Sequence, residues 1–295
     1  MKRTNKNLWK RIISCLFILI LVGGCSAYGN NSANKAAALN QQSLSQNGSS
    51  VKMHFLSTGN SDCIIIQAEK TVLIDAGQNN DEDLVVNYLK KLGVKKIDYI
   101  ISTHPDADHC GGLDAVVKNF EIKECFVGNG SSTSITYRSF INALAEKGLT
   151  PAVPLANKQF MLGKNCYMQF YNTKARSTNS NELSLVTLLV DGNKKALFTG
   201  DADYKVENQL HTLLSDVDVL KVSHHGSKTA TSQAFLQVVK PEYAIICTGK
   251  NGYGHPDKTV IKRLEKAGSK VYRTDYDGNI IVEFNNNQVS VSTHS

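Results

Sequence analysis

The sequence predicts a four-layer α/β/β/α sandwich, with two sheets packed face to face and helices outside them. Three observations point to it. Short β-branched apolar runs of strand length recur between residues 52 and 292. Between several of them fall amphipathic stretches of helical period, such as 81–92, where Leu84, Val85, Tyr88, Leu89 and Leu92 share one face. The strands come first in hairpin-like succession and then alternate with helices, which suits two layers of sheet covered on both sides.

The first 25 residues are no part of that sandwich. Lys2, Arg3, Lys6, Lys10 and Arg11 make a basic start, and residues 12–22 form an apolar run too short for a comfortable membrane span. Val22-Gly23-Gly24-Cys25 resembles a bacterial lipobox, so residues 1–25 are expected to be a lipoprotein-type signal peptide, with Cys25 lipidated as the first residue of the mature chain. An uncleaved anchor is the alternative. Both would put the rest of the chain outside the cytoplasmic membrane. Residues 26–50, rich in Asn, Ser, Ala and Gln, read as a flexible tether, and 51–295 as the folded domain.

Within the domain, strands are expected at 52–56, 63–67, 71–74, 99–102, 124–127, 167–171, 183–190, 195–198, 217–222, 243–247, 271–273, 279–284 and 288–292. Further helices are expected at 137–147, 204–214, 232–239 and 257–267. Gly93, Gly148 and Gly268 stand where helix C-caps fall. Asp277-Gly278 joins its flanking runs as a hairpin turn would.

The formal charge of +7 is not a nucleic-acid signal. The leader carries five basic and no acidic residues, leaving 28 basic against 26 acidic. Beyond Cys15 and Cys25, the cysteines are Cys63, Cys110, Cys125, Cys166 and Cys247, an odd set without CxxC spacing. That excludes a disulfide framework, and their apolar neighbours mark most of them as small buried residues.

The chemistry lies in four loops, each near an expected strand end, where rigid strands let side chains converge. They carry His104-Pro105-Asp106-Ala107-Asp108-His109, then Thr199-Gly200-Asp201, then Ser223-His224-His225-Gly226-Ser227, and then Gly254-His255-Pro256. One such loop is weak; four together are strong. Imidazole and carboxylate without thiolate suit Zn²⁺, Mn²⁺ or Fe at an open, catalytic site, because structural zinc prefers Cys-rich shells. A carboxylate bridging two ions would lower the pKa of water and clamp the oxygens of a displacement.

These motifs resemble the metallo-β-lactamase superfamily, whose HxHxDH signature stands here as residues 104–109. Within it the chain looks similar to the soluble hydrolase domain of ComEC-type competence (DNA-uptake) proteins. That resemblance rests on residues 56–63, Leu73-Ile74-Asp75-Ala76-Gly77, Asn181-Glu182-Leu183-Ser184-Leu185-Val186, Phe198 to Asp201, Lys221 to Ser227 and Tyr253-Gly254-His255-Pro256. It covers roughly residues 51–291. These residues hold no counterpart of the long hydrophobic channel segment of a full ComEC protein, so the chain is not expected to transport DNA itself.

The resemblance implies that Asp108 and His109 bind one metal with either His224 or His225, that Asp201 bridges, and that His104 with Asp106 serves the other metal. Two departures stand out. Asp106 replaces the second His of the signature, and no His lies between His109 and His211, where Asn181 and Ser184 fall instead. One or two divalent ions, Zn²⁺ or Mn²⁺, are therefore expected. Asp106 or Asp108 would accept the proton. Asp75 is either a turn residue or the orienter of a ligand. His255 either caps the following helix or acts in catalysis, by contact with a substrate phosphate or by proton donation.

The expected protein is an extracytoplasmic, membrane-anchored metal-dependent hydrolase of phosphodiesters, DNA among them, with no protein partner. The competing readings are a β-lactamase-like hydrolase of a non-phosphate substrate and a non-catalytic surface protein that kept the fold.

Overall fold

The computed structural model describes residues 50–294. The leader, Cys25 and all of the tether except Ser50 lie outside the described residues. Among the described residues, no helix is long and apolar enough to cross a membrane.

Two seven-stranded sheets form the body, and each is part antiparallel and part parallel. The first sheet holds β1 (Val51–Phe55), β2 (Ile64–Gln67), β3 (Thr71–Ile74), β4 (Lys96–Ser102), β5 (Glu121–Val127), β13 (Asn279–Asn285) and β14 (Gln288–His294), in the order β14-β13-β1-β2-β3-β4-β5. The second holds β6 (Gln159–Met161), β7 (Cys166–Tyr171), β8 (Val186–Asp191), β9 (Lys194–Phe198), β10 (Val219–Lys221), β11 (Tyr243–Ile246) and β12 (Lys270–Arg273) in reverse order.

The alternation of side chains sorts them into three apolar layers. Met53, Phe55, Ile64, Ile66 and Ile101 of the first sheet meet Met168, Phe170, Leu189, Phe198 and Val219 of the second. On its other face the first sheet packs Ile65, Leu73 and Ile100 against α1 (Glu82–Lys91), α3 (Leu113–Asn119) and α4 (Ile135–Glu146), the last two following a single turn, α2 (Ala107–Cys110). The second sheet packs Leu197, Leu220 and Ile246 against α5 (Tyr204–Leu210), α6 (Gln233–Val239) and α7 (Lys258–Lys266). The predicted layering is therefore found. The strands bordered by helices are parallel and read as unbroken apolar runs because both faces are covered.

Two local expectations fail. Asp277-Gly278 does not turn a hairpin. A one-turn helix, α8 (Thr274–Asp277), carries the chain there from β12 in the second sheet to β13 in the first. The hairpin is β13–β14, turned by Asn286 and Asn287 at φ of 48° and 63°, the left-handed values that Asn tolerates and a two-residue turn requires. Residues 183–185 are not strand either: Ser180–Leu183 form a 3-10 turn, and β8 starts at Val186. Sequence reasoning also missed β6 and α3.

All five cysteines from Cys63 to Cys247 are buried and unpaired, as expected.

Candidate metal centre

The four ligand-rich loops converge where β4, β9, β10 and β11 end at their carboxyl edges, joined by the turn after β3. His104, His109, Asp201 and His225 are buried there, with Asp108 at their border. His109 Nε2 lies 3.3 Å from Asp201 Oδ1, and His225 Nε2 lies 3.4 Å from Asp108 Oδ2 and 3.6 Å from Asp201 Oδ2. His104, His109 and Asp201 form one group of ligand-type atoms within 4.8 Å of each other, and Asp108, His109 and His225 another.

The orientation of each imidazole follows from its other nitrogen. His225 Nδ1 is 2.9 Å from the Cys247 carbonyl, which only accepts, so Nδ1 carries the proton and the Nε2 lone pair faces the cluster. His109 Nδ1 donates to Asp75 Oδ2 at 2.9 Å. Asp75, wholly buried, also accepts from the Thr103 backbone N–H at 2.8 Å and hydroxyl at 2.7 Å. Asp75 thus holds the ring of His109, and its own φ of 54° places it in the turn after β3. His104 Nδ1 meets Thr103 Oγ1 at 3.0 Å and Ser184 Oγ at 3.3 Å. The buried Nε2 atoms of His104, His109 and His225 and Oδ1 of Asp201 then have no hydrogen-bond partner. Such atoms are costly to bury unless something binds them.

Electrostatics follow the same convergence. Burial acts to raise the Asp201 carboxyl, but the charges of His109 and His225 outweigh it and hold it well below the usual range. Burial also opposes ionisation of Asp108, which the adjoining His225 and the charge of His109 pull down to about 2. His109 moves the other way: Asp201 and Asp75 overcome burial and push it up.

Not every predicted residue sits in the buried cluster. The Asp106 side chain is 40% exposed; it takes a hydrogen bond from Ser180 at 2.9 Å and stands 3.6 Å from His104 Nε2. His224 and His225 follow each other at φ of 50° and 52°, a left-handed pair that turns their side chains apart. His225 goes inward, whereas His224 stays partly exposed with Nε2 3.7 Å from Asp201 Oδ2 and Nδ1 3.4 Å from Asn181 Nδ2. His255 does not cap the next helix, because the Asp257 side chain accepts from Thr259 N there. Its ring packs edge-on to His224 at 5.3 Å, and burial followed by the charges of His224 and His225 lowers its pKa.

Sequence reasoning missed Asp62 and Lys221. Both are buried beneath the cluster and ion-paired with each other, and Lys221 also lies 4.0 Å from Asp201 Oδ1 and donates to the Gly200 carbonyl at 3.2 Å. The available signal was a lysine inside the apolar run Val219-Leu220-Lys221-Val222, a charge that a covered strand buries only with a partner.

The chain matches a model of the Metallo-beta-lactamase superfamily over residues 56–250. ComE operon protein 3 of Bacillus subtilis is 30% identical over 210 residues, covering 70% of this chain and 27% of that protein. Recombination protein 2 of Haemophilus influenzae is 31% identical over 230 residues, 75% of this chain and 27% of its own length. Competence protein ComA of Neisseria gonorrhoeae is 32% identical over 200 residues, 66% and 26% respectively. The chain thus spans about a quarter of the length of these relatives. Among solved structures, the metallo-beta-lactamase fold protein YhfI from Bacillus subtilis matches with a TM-score of 0.53 at 11% identity, covering 80% of this chain and 100% of that one. Zn(2+)-bound PqqB from Methylobacterium extorquens gives 0.51 at 13% identity, with 76% and 87% covered. At such identities the two structures speak for the fold alone.

Proposed function

This chain belongs to the metallo-beta-lactamase superfamily, and on that premise we propose that its buried His/Asp cluster holds one or two divalent metal ions and hydrolyses phosphodiester bonds. The observation that carries the reading is the set of buried, unpartnered atoms His104 Nε2, His109 Nε2, His225 Nε2 and Asp201 Oδ1. Three nitrogens with carboxylate oxygens and no thiolate fit Zn²⁺, Mn²⁺ or Fe. Asp108, His109, His225 and Asp201 would hold one ion, and His104 with Asp201 and Asp106 would hold a second. A bound ion there supplies Lewis acidity and a lowered pKa for water.

The remaining work falls to the chain. Asp75 and the Cys247 carbonyl fix the two inward imidazoles, so neither ring has to reorganise during turnover. Asp106 and Asp108 are the carboxylates at the border of the cluster, suited to take up a proton. His224 and His255, both with lowered pKa, are neutral at pH 7 and offer hydrogen bonds to a phosphoryl oxygen rather than standing charge.

Kinship with proteins named for competence and recombination supports a nucleic-acid diester over a β-lactam. The leader, with its basic start and lipobox-like Cys25, supports a lipid-anchored place outside the membrane. The test is metal content by mass spectrometry and turnover of bis(p-nitrophenyl) phosphate with Mn²⁺ or Zn²⁺, wild type against Asp201→Ala. Bound metal and turnover, both lost in the variant, are expected. Neither metal nor turnover in the wild type under any ion would make the chain a binding protein on this fold.

A further inference from the structure

A line of side-chain contacts runs from the cluster to solvent. His224 stands against Asp201, the His255 ring against His224, and the Tyr253 ring 5.7 Å from that of His255 at an interplanar angle of 31°. Tyr253 ends the line 80% exposed. Single exposed aromatics are ordinary, so exposure alone decides nothing. The way this one is held does. Asn251 Oδ1 accepts from the backbone N–H of Tyr253 at 3.0 Å and of His255 at 3.1 Å, while Nδ2 donates to the carbonyls of Gly249 at 2.8 Å and His255 at 2.7 Å. One side chain therefore braces the loop that presents the ring beside the reacting centre.

A second feature adjoins the same centre. The turn Ser180–Leu183 gives Ser180 to Asp106 and Asn181 to His224. Its Glu182 pairs with Lys205 on the wall of a cleft of about 410 Å³ that also carries Lys174 and Arg176. Three cations against one carboxylate leave the cleft positive.

A basic cleft that tracks a phosphate backbone, together with an aromatic face, is how single strands are held without sequence preference. Paired bases in a duplex cannot offer a free face to such a ring. Resting on the phosphodiester reading above, we propose that the substrate is a single nucleic-acid strand. Tyr253 stacks on the base beside the scissile phosphate, and Lys174, Arg176 and Lys205 follow the flanking phosphates.

The experiment is fluorescence anisotropy of labelled oligo(dT), oligo(U), an abasic deoxyribose-phosphate strand of equal length and a duplex. It uses the whole chain, in chelator so that no strand is consumed, and again with Mn²⁺. Base-bearing strands are expected to bind more tightly than the abasic strand or the duplex, and whichever of oligo(dT) and oligo(U) binds better names the sugar. Tyr253→Ala is expected to weaken them about five- to hundredfold, with Tyr253→Trp and Tyr253→Phe restoring them and the abasic strand unmoved. Charge removal at Lys174 and Arg176 is expected to flatten the salt dependence by about one unit of slope per phosphate contact. Equal binding of abasic and base-bearing strands, tighter duplex binding, or no effect of Tyr253→Ala overturns the platform. Base-dependent binding without turnover of any diester overturns the hydrolytic reading alone; turnover without base dependence overturns the platform alone.

Discussion

Lys221, at the end of β10 in the second sheet, buries its ammonium against the Asp62 carboxylate in the loop between β1 and β2 of the first. The pair joins the two sheets directly below the His/Asp cluster, where both partners are buried. Removing one charge strands the other, which costs about 3–5 kcal/mol when an ion pair is fully buried. Lys221→Met is expected to lose stability on that scale in urea denaturation. Replacing both residues by apolar ones of similar size should recover most of the loss, and a single-variant loss below about 1 kcal/mol, the scale of an exposed pair, would show the pair to be hydrated.

The adjacent histidines should separate cleanly. His225 Nε2 faces two carboxylate oxygens, of Asp108 and Asp201, with its tautomer set by Cys247, whereas His224 faces the mouth of the site. Under the proposed function, His225→Ala lowers metal affinity more than the about 10- to 100-fold typical of losing an outer-shell partner. His224→Ala keeps its metal while diester turnover falls. Titration against a chromophoric chelator reads the first effect and steady-state kinetics the second. Equal metal loss in both variants would mean that His224 is also a ligand.

Asp75→Asn probes orientation without touching a ligand atom. The amide replaces one acceptor oxygen by a donor, in a site where Asp75 accepts from His109 and twice from Thr103. Metal affinity is expected to fall about 10- to 100-fold, with the far-ultraviolet circular dichroism spectrum retained. An unchanged affinity would reduce Asp75 to a turn residue.

Away from the centre, Asp114 on α3 ties its own helix to α4. It accepts from Lys118 Nζ at 2.7 Å and Ser139 Oγ at 2.8 Å. Burial would raise its carboxyl, and these two hydrogen bonds outweigh burial and lower it below its usual value near 3.8. A depressed pKa adds stability above the unfolded value and loses it as pH falls through the folded one. Asp114→Asn should therefore cost about 1–2 kcal/mol at pH 7, discounted because Lys118 is half exposed. The gap between wild type and variant should begin to narrow below about pH 4 and keep narrowing as pH falls through the folded value, as measured by thermal melting across pH. A gap that shows no narrowing below that pH would assign the loss to packing.

Much of this was legible in the sequence, for identifiable reasons. His104, His109, Asp201 and His225 each come after an apolar strand run, and strand periodicity is a local signal. The four-layer order was equally readable because both parallel portions are bordered by helices. What escaped depended on partners brought together by folding. Asp62 lies in a stretch with no period, and its partner Lys221 belongs to the other sheet. Asp106 reads as a ligand in a linear motif, but its tie to Ser180, a residue outside every expected strand, appears only in the fold. The order of His224 and His225 rests on two left-handed backbone angles that no composition encodes. Asp277-Gly278 misled because a two-residue turn signal does not say which sheet the next strand joins.

The placement of β13 beside β1 bears on how the molecule comes to be made. β1 is the first strand of the domain, yet one of its two edges is completed only by residues 280–284. While the chain folds, β1 through β5 can pair before β13 arrives, and that edge then presents bare N–H and C=O groups, a template for another unfolded chain. The first sheet thus remains adhesive until its late strands dock. Any delay between the pairing of β5 and that of β13 lengthens the interval in which aggregation competes with folding.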